Sequence, residues 1–147
     1  MLDLYKWAIV MQVLLFIYFE ITTLVNLFPW NDLSKYSTRE KVIEATTNGV
    51  VIITGIVLFL TKVNWLMTIS VIIWFIFLFM QLLVWWMPYL TGKHLKQFPR
   101  ELYDTHFQRT VKFLPRVKNH IIPDAQHIVL QTLSMATLVM CVAVLFQ

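Results

Sequence analysis

The sequence predicts an all-α membrane protein: four transmembrane helices in up-down order, with one interfacial amphipathic helix between helices 3 and 4. Three observations predict it. The 147 residues are 59% hydrophobic and only 14% charged, against about 45–50% apolar and about 25% charged in soluble domains. A chain this short cannot bury so much apolar surface inside one water-facing core. The apolar residues also gather into four runs, 5–28, 42–60, 65–87 and 124–146. At about 1.5 Å per residue each approaches or exceeds a hydrocarbon layer of roughly 30 Å. All four are read as one integral domain.

The first run is read as a retained span. Only Lys6 precedes its apolar part, the run is too long for a signal peptide, and no small-residue cleavage site follows. Pro29 is its expected stop. Glu20 lies inside it with Thr23 on the same face, and a charged residue in a span costs roughly 2.5 kcal/mol or more.

Ser37-Thr38-Arg39-Glu40 has the form of a capping box, so the second helix starts near Thr38. Glu40, Glu44, Thr47, Asn48 and Gly55 share one stripe of it. Ala45 and Gly49 form a small-residue pair that admits a neighbouring helix closely.

The third run has one strongly polar interior residue, Gln81, and is flanked by Trp65, Trp85 and Trp86, which suit interfacial aromatic belts. Tyr36, Tyr89 and Tyr103 suit the headgroup zone. Residues 88–122 form the long basic loop. Within it Tyr103, Phe107, Val111 and Leu114 recur at helical spacing, predicting an amphipathic helix over about 100–113 on the membrane surface, between Pro99 and Pro115. Arg100, Arg109, Lys112, Arg116 and Lys118 are its expected contacts with anionic lipid headgroups. The fourth run opens with Asp124, His127 and Gln131.

Lys and Arg set the expected orientation. Ten lie in the loops 29–41 and 88–122 and two, Lys6 and Lys62, on the other side. By the positive-inside rule both basic loops are cytoplasmic and both termini outside, in a plasma or inner membrane. That orientation brings Glu20, Glu44, Asn48, Gln81, Asp124, His127 and Gln131 to the same leaflet, as a predicted ligand-binding set.

The single cysteine, Cys141, excludes an internal disulfide and paired-thiol redox chemistry. His94, His106 and His120 match no metal-binding spacing and are read as interfacial. Asp124-x-x-His127 puts a carboxylate and an imidazole on one helix face, but four-helix carboxylate metal sites need two such pairs. No metal or cofactor is assigned. The composition favours the bilayer and its anionic headgroups over nucleic acid as partner, and Ala45/Gly49 with the apolar third helix leaves room for a homodimer or another membrane protein.

Three accounts of the polar set follow. It is structural, with Asp124 a helix cap and Asn48, Gln81 and Gln131 interhelical glue. Or it is a cytoplasmic-side pocket that binds or moves a small solute, a cation, a proton or a lipid headgroup, alone or as an accessory subunit. The alternative class is a membrane-embedded enzyme acting on a lipid or isoprenoid at the inner leaflet, with His127 as acid or base.

Overall fold

The computed structural model describes residues 3–147. Its helices are α1 (Leu4–Leu24), α2 (Thr38–Leu60), α3 (Asn64–Thr91), α4 (Arg100–His106) and α5 (Ala125–Leu145), with a short 3-10 turn at Leu33–Lys35. Four of them, α1, α2, α3 and α5, are long and apolar enough to cross a membrane.

Each boundary has a local cause. α1 stops at Leu24, short of the expected Phe28, because Asn31 reaches back to its end. The Asn31 amide donates to the carbonyls of Thr22 (2.7 Å) and Val25 (2.9 Å) and accepts from the Leu27 N–H (2.5 Å). The last-turn carbonyls of the helix are thus satisfied by a side chain instead of by further turns. α2 begins with the expected capping box: the Ser37 hydroxyl accepts from the Glu40 N–H and the Glu40 carboxylate accepts from the Ser37 N–H.

α3 runs four residues past the expected 87 and carries Pro88 in its last turns. Proline has no N–H, so the Val84 carbonyl loses its helical donor. The Tyr103 hydroxyl of α4 donates to that carbonyl instead. Gly92 ends α3 at φ 72°, where a Cβ would approach Nε2 of His120 to 2.8 Å. His120 in turn donates from Nδ1 to the Tyr89 carbonyl at 2.7 Å.

The surface helix expected over 100–113 is only the seven residues Arg100–His106. After Phe107 the chain is drawn into tertiary backbone bonds: the Val111 N–H donates to Pro29 and the Ala125 N–H to Val111. A continuing helix would have kept those groups for itself.

The four long helices close a ring in which α1 and α3 each pack between α2 and α5. Leu15, Phe19, Ile52, Phe59, Trp74, Leu130 and Cys141 fill its centre. The outer faces are equally apolar: Val50, Ile53, Val57, Ile72, Phe75 and Phe79 are exposed. Apolar inside and apolar outside is the pattern of a helix bundle whose solvent is lipid. Ala45 and Gly49 admit a helix, and it is α1 of the same chain: the Glu20 carboxylate and the Phe16 ring lie over Gly49.

Asn31→Ala removes three hydrogen bonds, at about 1 kcal/mol each less what water restores. The melting temperature of the detergent-purified protein is expected to fall by several degrees, with faster amide exchange over residues 22–27. An unchanged melting temperature would contradict this account of the α1 terminus.

Candidate functional site

α2 and α3 touch closely at Gly55, where the Ser70 hydroxyl donates to the Gly55 carbonyl at 2.7 Å and the Trp74 indole covers the missing side chain. Beyond that contact, toward the long loop, a cleft of about 650 Å³ lies between the two helices. Val51 of α2 and Ile73, Ile76, Phe77 and Met80 of α3 form its apolar walls, and Phe19 and Leu130 its floor. Phe98, Leu102, Tyr103 and Phe107 of the α4 region close its end. Val51, Ile76 and Met80 are exposed, so the cleft opens sideways through the lipid-type surface.

Its polar end carries Glu44, Asn48, Gln81, His127 and Tyr36. Four of these belong to the predicted set. Asp124 stands directly behind His127. It is the N-cap of α5 and fully buried: Oδ1 accepts from the His127 N–H (2.9 Å) and from its ring Nδ1 (2.6 Å), while Oδ2 accepts from the Thr110 hydroxyl (3.1 Å). The imidazole is also held by rings, with Trp85 tilted over it at 4.1 Å and the Phe107 edge at 5.3 Å. Giving Nδ1–H to Asp124 leaves Nε2 as the ring's free acceptor.

Two members of the predicted set lie elsewhere. Glu20 does not line the cleft, since its carboxylate lies over Gly49 between α1 and α2. Gln131 is buried one turn beyond His127 and accepts from the Trp86 indole at 2.7 Å. With Ser134 and Thr137 it continues a buried polar stripe along α5, onto which Gln81 donates at Ser134 (3.0 Å). Among the described residues no group of three or more His, Cys, Asp or Glu is arranged to hold a metal ion.

Sequence reasoning missed Thr110 and Phe107 as holders of the Asp124–His127 pair. Trp85, expected in an aromatic belt, and Tyr89 and Tyr103, expected in the headgroup zone, are all buried against other parts of the chain. Trp85 faces His127, Tyr89 donates to the Pro115 carbonyl (2.9 Å) and Tyr103 to Val84. Burial pushes the Tyr103 hydroxyl up to about 12, so it stays a neutral donor. Tyr36 is raised by burial too, with the charges of Glu44 and Asp124 adding to it.

The basic residues divide in use. Arg109 pairs with buried Asp32 (3.4 Å) and lies over the Phe28 ring, and Arg100 pairs with Asp104 and donates to the Asn119 carbonyl. Lys112 turns inward and donates to the carbonyls of Phe107 (2.6 Å) and Thr110 (3.1 Å). Burial lowers its ammonium, against the pull of Asp124. Arg116 and Lys118 are exposed. Comparison of the chain with family models, with curated proteins and with solved structures returns no match.

For Asp124, burial alone would raise the carboxyl, but the His127 charge and the donors from His127 and Thr110 outweigh it and hold it below the ordinary 3.8. Asp32 is held low by Ser34 in the same direction. A depressed folded-state value adds stability that is complete above the unfolded value and is lost as pH falls through the folded one. The melting temperature in detergent should therefore drop on acidification below pH 3.8. Asp124→Asn should lower the neutral plateau and shrink that drop, and a melting temperature that rises with acid would contradict the pairing.

Proposed function

We propose that this chain is an integral membrane protein that binds an amphiphilic, lipid-like molecule in the cleft between α2 and α3. The observation that carries the proposal is the shape and chemistry of that cleft. It is about 650 Å³, apolar for most of its length, open on the lipid-type surface, and hydrophilic only at the end where Glu44, Asn48, Gln81 and His127 meet. Ligand sites of this size are usually apolar with a few placed polar groups that fix orientation. A tail enters such a cleft from the bilayer with little desolvation, while the head finds hydrogen-bond partners at the loop end.

The proposal includes a topology. The four long helices cross in up-down order, loops 29–41 and 88–122 are cytoplasmic, both termini are outside, and α4 lies at the inner interface with Arg116 and Lys118 toward anionic headgroups. The charge count supports it: ten Lys and Arg fall in the two loops and two on the other side. Single reporters test it in a Cys141→Ser background. Lys62→Cys should react with an impermeant maleimide in intact cells and Lys118→Cys only after permeabilisation, and the reverse pattern would overturn the orientation.

A second reading rests on one observation, the free Nε2 of an imidazole pinned by a buried carboxylate at the head of the cleft. That is the geometry of a general base, and it suits an enzyme acting on a lipid or isoprenoid. Incubation of the reconstituted protein with extracted membrane lipids separates the readings. A lipid consumed by the wild type and spared by His127→Ala favours the enzyme; an unchanged lipid inventory favours binding alone.

The binding proposal is tested with two photoactivatable oleyl probes carrying a diazirine in the tail, one with a hydroxyl and one with a phosphate head. In nanodiscs at least one should form adducts at Val51, Ile76 or Met80 in preference to Ile17, Val57 or Phe75. Ile76→Trp should suppress those adducts without lowering the melting temperature. Adducts spread evenly over the lipid-facing surface for both probes would show ordinary annular contact and end the proposal.

A further inference from the structure

The polar end of the cleft is chemically one-sided. The chain has twelve Lys and Arg, and not one of them lines the cleft. Its one carboxylate is Glu44 and its one imidazole is His127, with the buried Asp124 carboxylate directly behind the latter. Even with His127 protonated, one positive charge faces two negative ones. His106, which packs against Tyr36 at 4.3 Å, lies outside the lining.

The hydrogen-bonding capacity points the same way. Gln81 spends an amide N–H on Ser134 and leaves its buried Oε1 without a partner. Asn48 spends an N–H on the Glu44 backbone carbonyl (3.2 Å), which keeps its side-chain oxygen as acceptor. His127 gives Nδ1–H to Asp124, and Glu44 is an acceptor by nature. The end of the cleft thus presents a carboxylate, two amide oxygens and a ring nitrogen as acceptors, against the Tyr36 hydroxyl and the second N–H of each amide as donors. A buried acceptor left unmatched costs about 1–3 kcal/mol, so the preferred occupant is one that donates.

Building on the binding reading above, we propose that the head group taken by this cleft donates hydrogen bonds and carries no negative charge, as in a long-chain alcohol or a long-chain amine. A phosphate or carboxylate head would meet like charge at Glu44 and would find no guanidinium or ammonium to pair with. Anionic lipids are left to the loop surface, where Arg116 and Lys118 are exposed, and the cleft itself excludes them. Glu44 is the filter. It is exposed at the open side of the cleft, so replacing it changes the selection without disturbing the core.

Four ligands with one tail test the selection: oleyl alcohol, oleylamine, oleyl phosphate and oleate. Each competes against whichever diazirine-oleyl probe labels Ile76 or Met80, on the full chain in phosphatidylcholine nanodiscs at pH 7. The alcohol or the amine should displace the probe at about tenfold lower concentration, or better, than either anion, the scale expected for one like-charge contact near a protein surface. In Glu44→Gln that advantage should shrink severalfold, with the amine losing most. Anions that compete as well as the alcohol and the amine would overturn the inference while leaving the cleft a lipid site. The same holds if the advantage is unchanged in Glu44→Gln. Failure of both probes to label the cleft would overturn the binding reading and this inference together.

Discussion

A carboxylate with no exposure to water joins the loops of this protein to its helices. Asp124 sits at the first turn of α5, and an unpaired charge at that depth would cost several kcal/mol. Its cost is met by the amide and the ring of His127 and by the hydroxyl of Thr110. Each donor fixes something else. The amide starts α5, and the ring bond occupies Nδ1 and leaves Nε2 free on a residue that lines the cleft. The hydroxyl holds the chain after Phe107, which is bonded through Val111 to Pro29 and through Arg109 to Asp32. Remove the charge and the start of a helix, the orientation of an imidazole and the docking of two loops all lose the same anchor.

The cleft has a second cause, in the unequal lengths of the helices. α3 has 28 residues against 21 in α1 and α5, roughly 10 Å more at 1.5 Å per residue. Its last turns carry Val84 and Trp85, against which Tyr103 of α4 packs. Pro88 supplies the joint, because the carbonyl it leaves free is taken by Tyr103. α2 is held to α3 at Gly55, where the Trp74 indole occupies the space a side chain would need and Ser70 donates to the backbone carbonyl. The space between that contact and the α4 roof is filled by neither helix, and it becomes the cleft.

Much of this was legible in the sequence. Hydropathy located the four long helices, Ser37 and Glu40 marked the start of α2, and the i, i+3 spacing of Asp124 and His127 put their side chains within reach. What stayed hidden was tertiary. Thr110 lies fourteen residues before Asp124, and no local pattern links them. The tertiary contacts of Trp85, Tyr89 and Tyr103 were hidden because a Trp or Tyr at the end of an apolar run has the same sequence signature whether or not another part of the chain covers it. The helical spacing from Tyr103 to Leu114 was real as a pattern but lost to backbone bonds with Pro29 and Ala125. Glu20 was grouped with His127 by depth alone, and depth carries no information about which side of a helix faces which neighbour. The nearest local signal for Tyr36 was its place just before the Ser37 cap, where a residue tends to fold back onto its helix.

The central claim is that the Asp124 carboxylate fixes the His127 ring with Nδ1 bonded and Nε2 free. Nitrogen-15 NMR of the histidine ring, with His94, His106 and His120 replaced to isolate the signal, reads this directly at a pH where the imidazole is neutral. The account predicts a proton on Nδ1, an unprotonated Nε2, and a shift of the Nε2 resonance alone when a long-chain alcohol enters the cleft. A proton on Nε2 with Nδ1 bare, or a ring exchanging freely between the two forms, would contradict it.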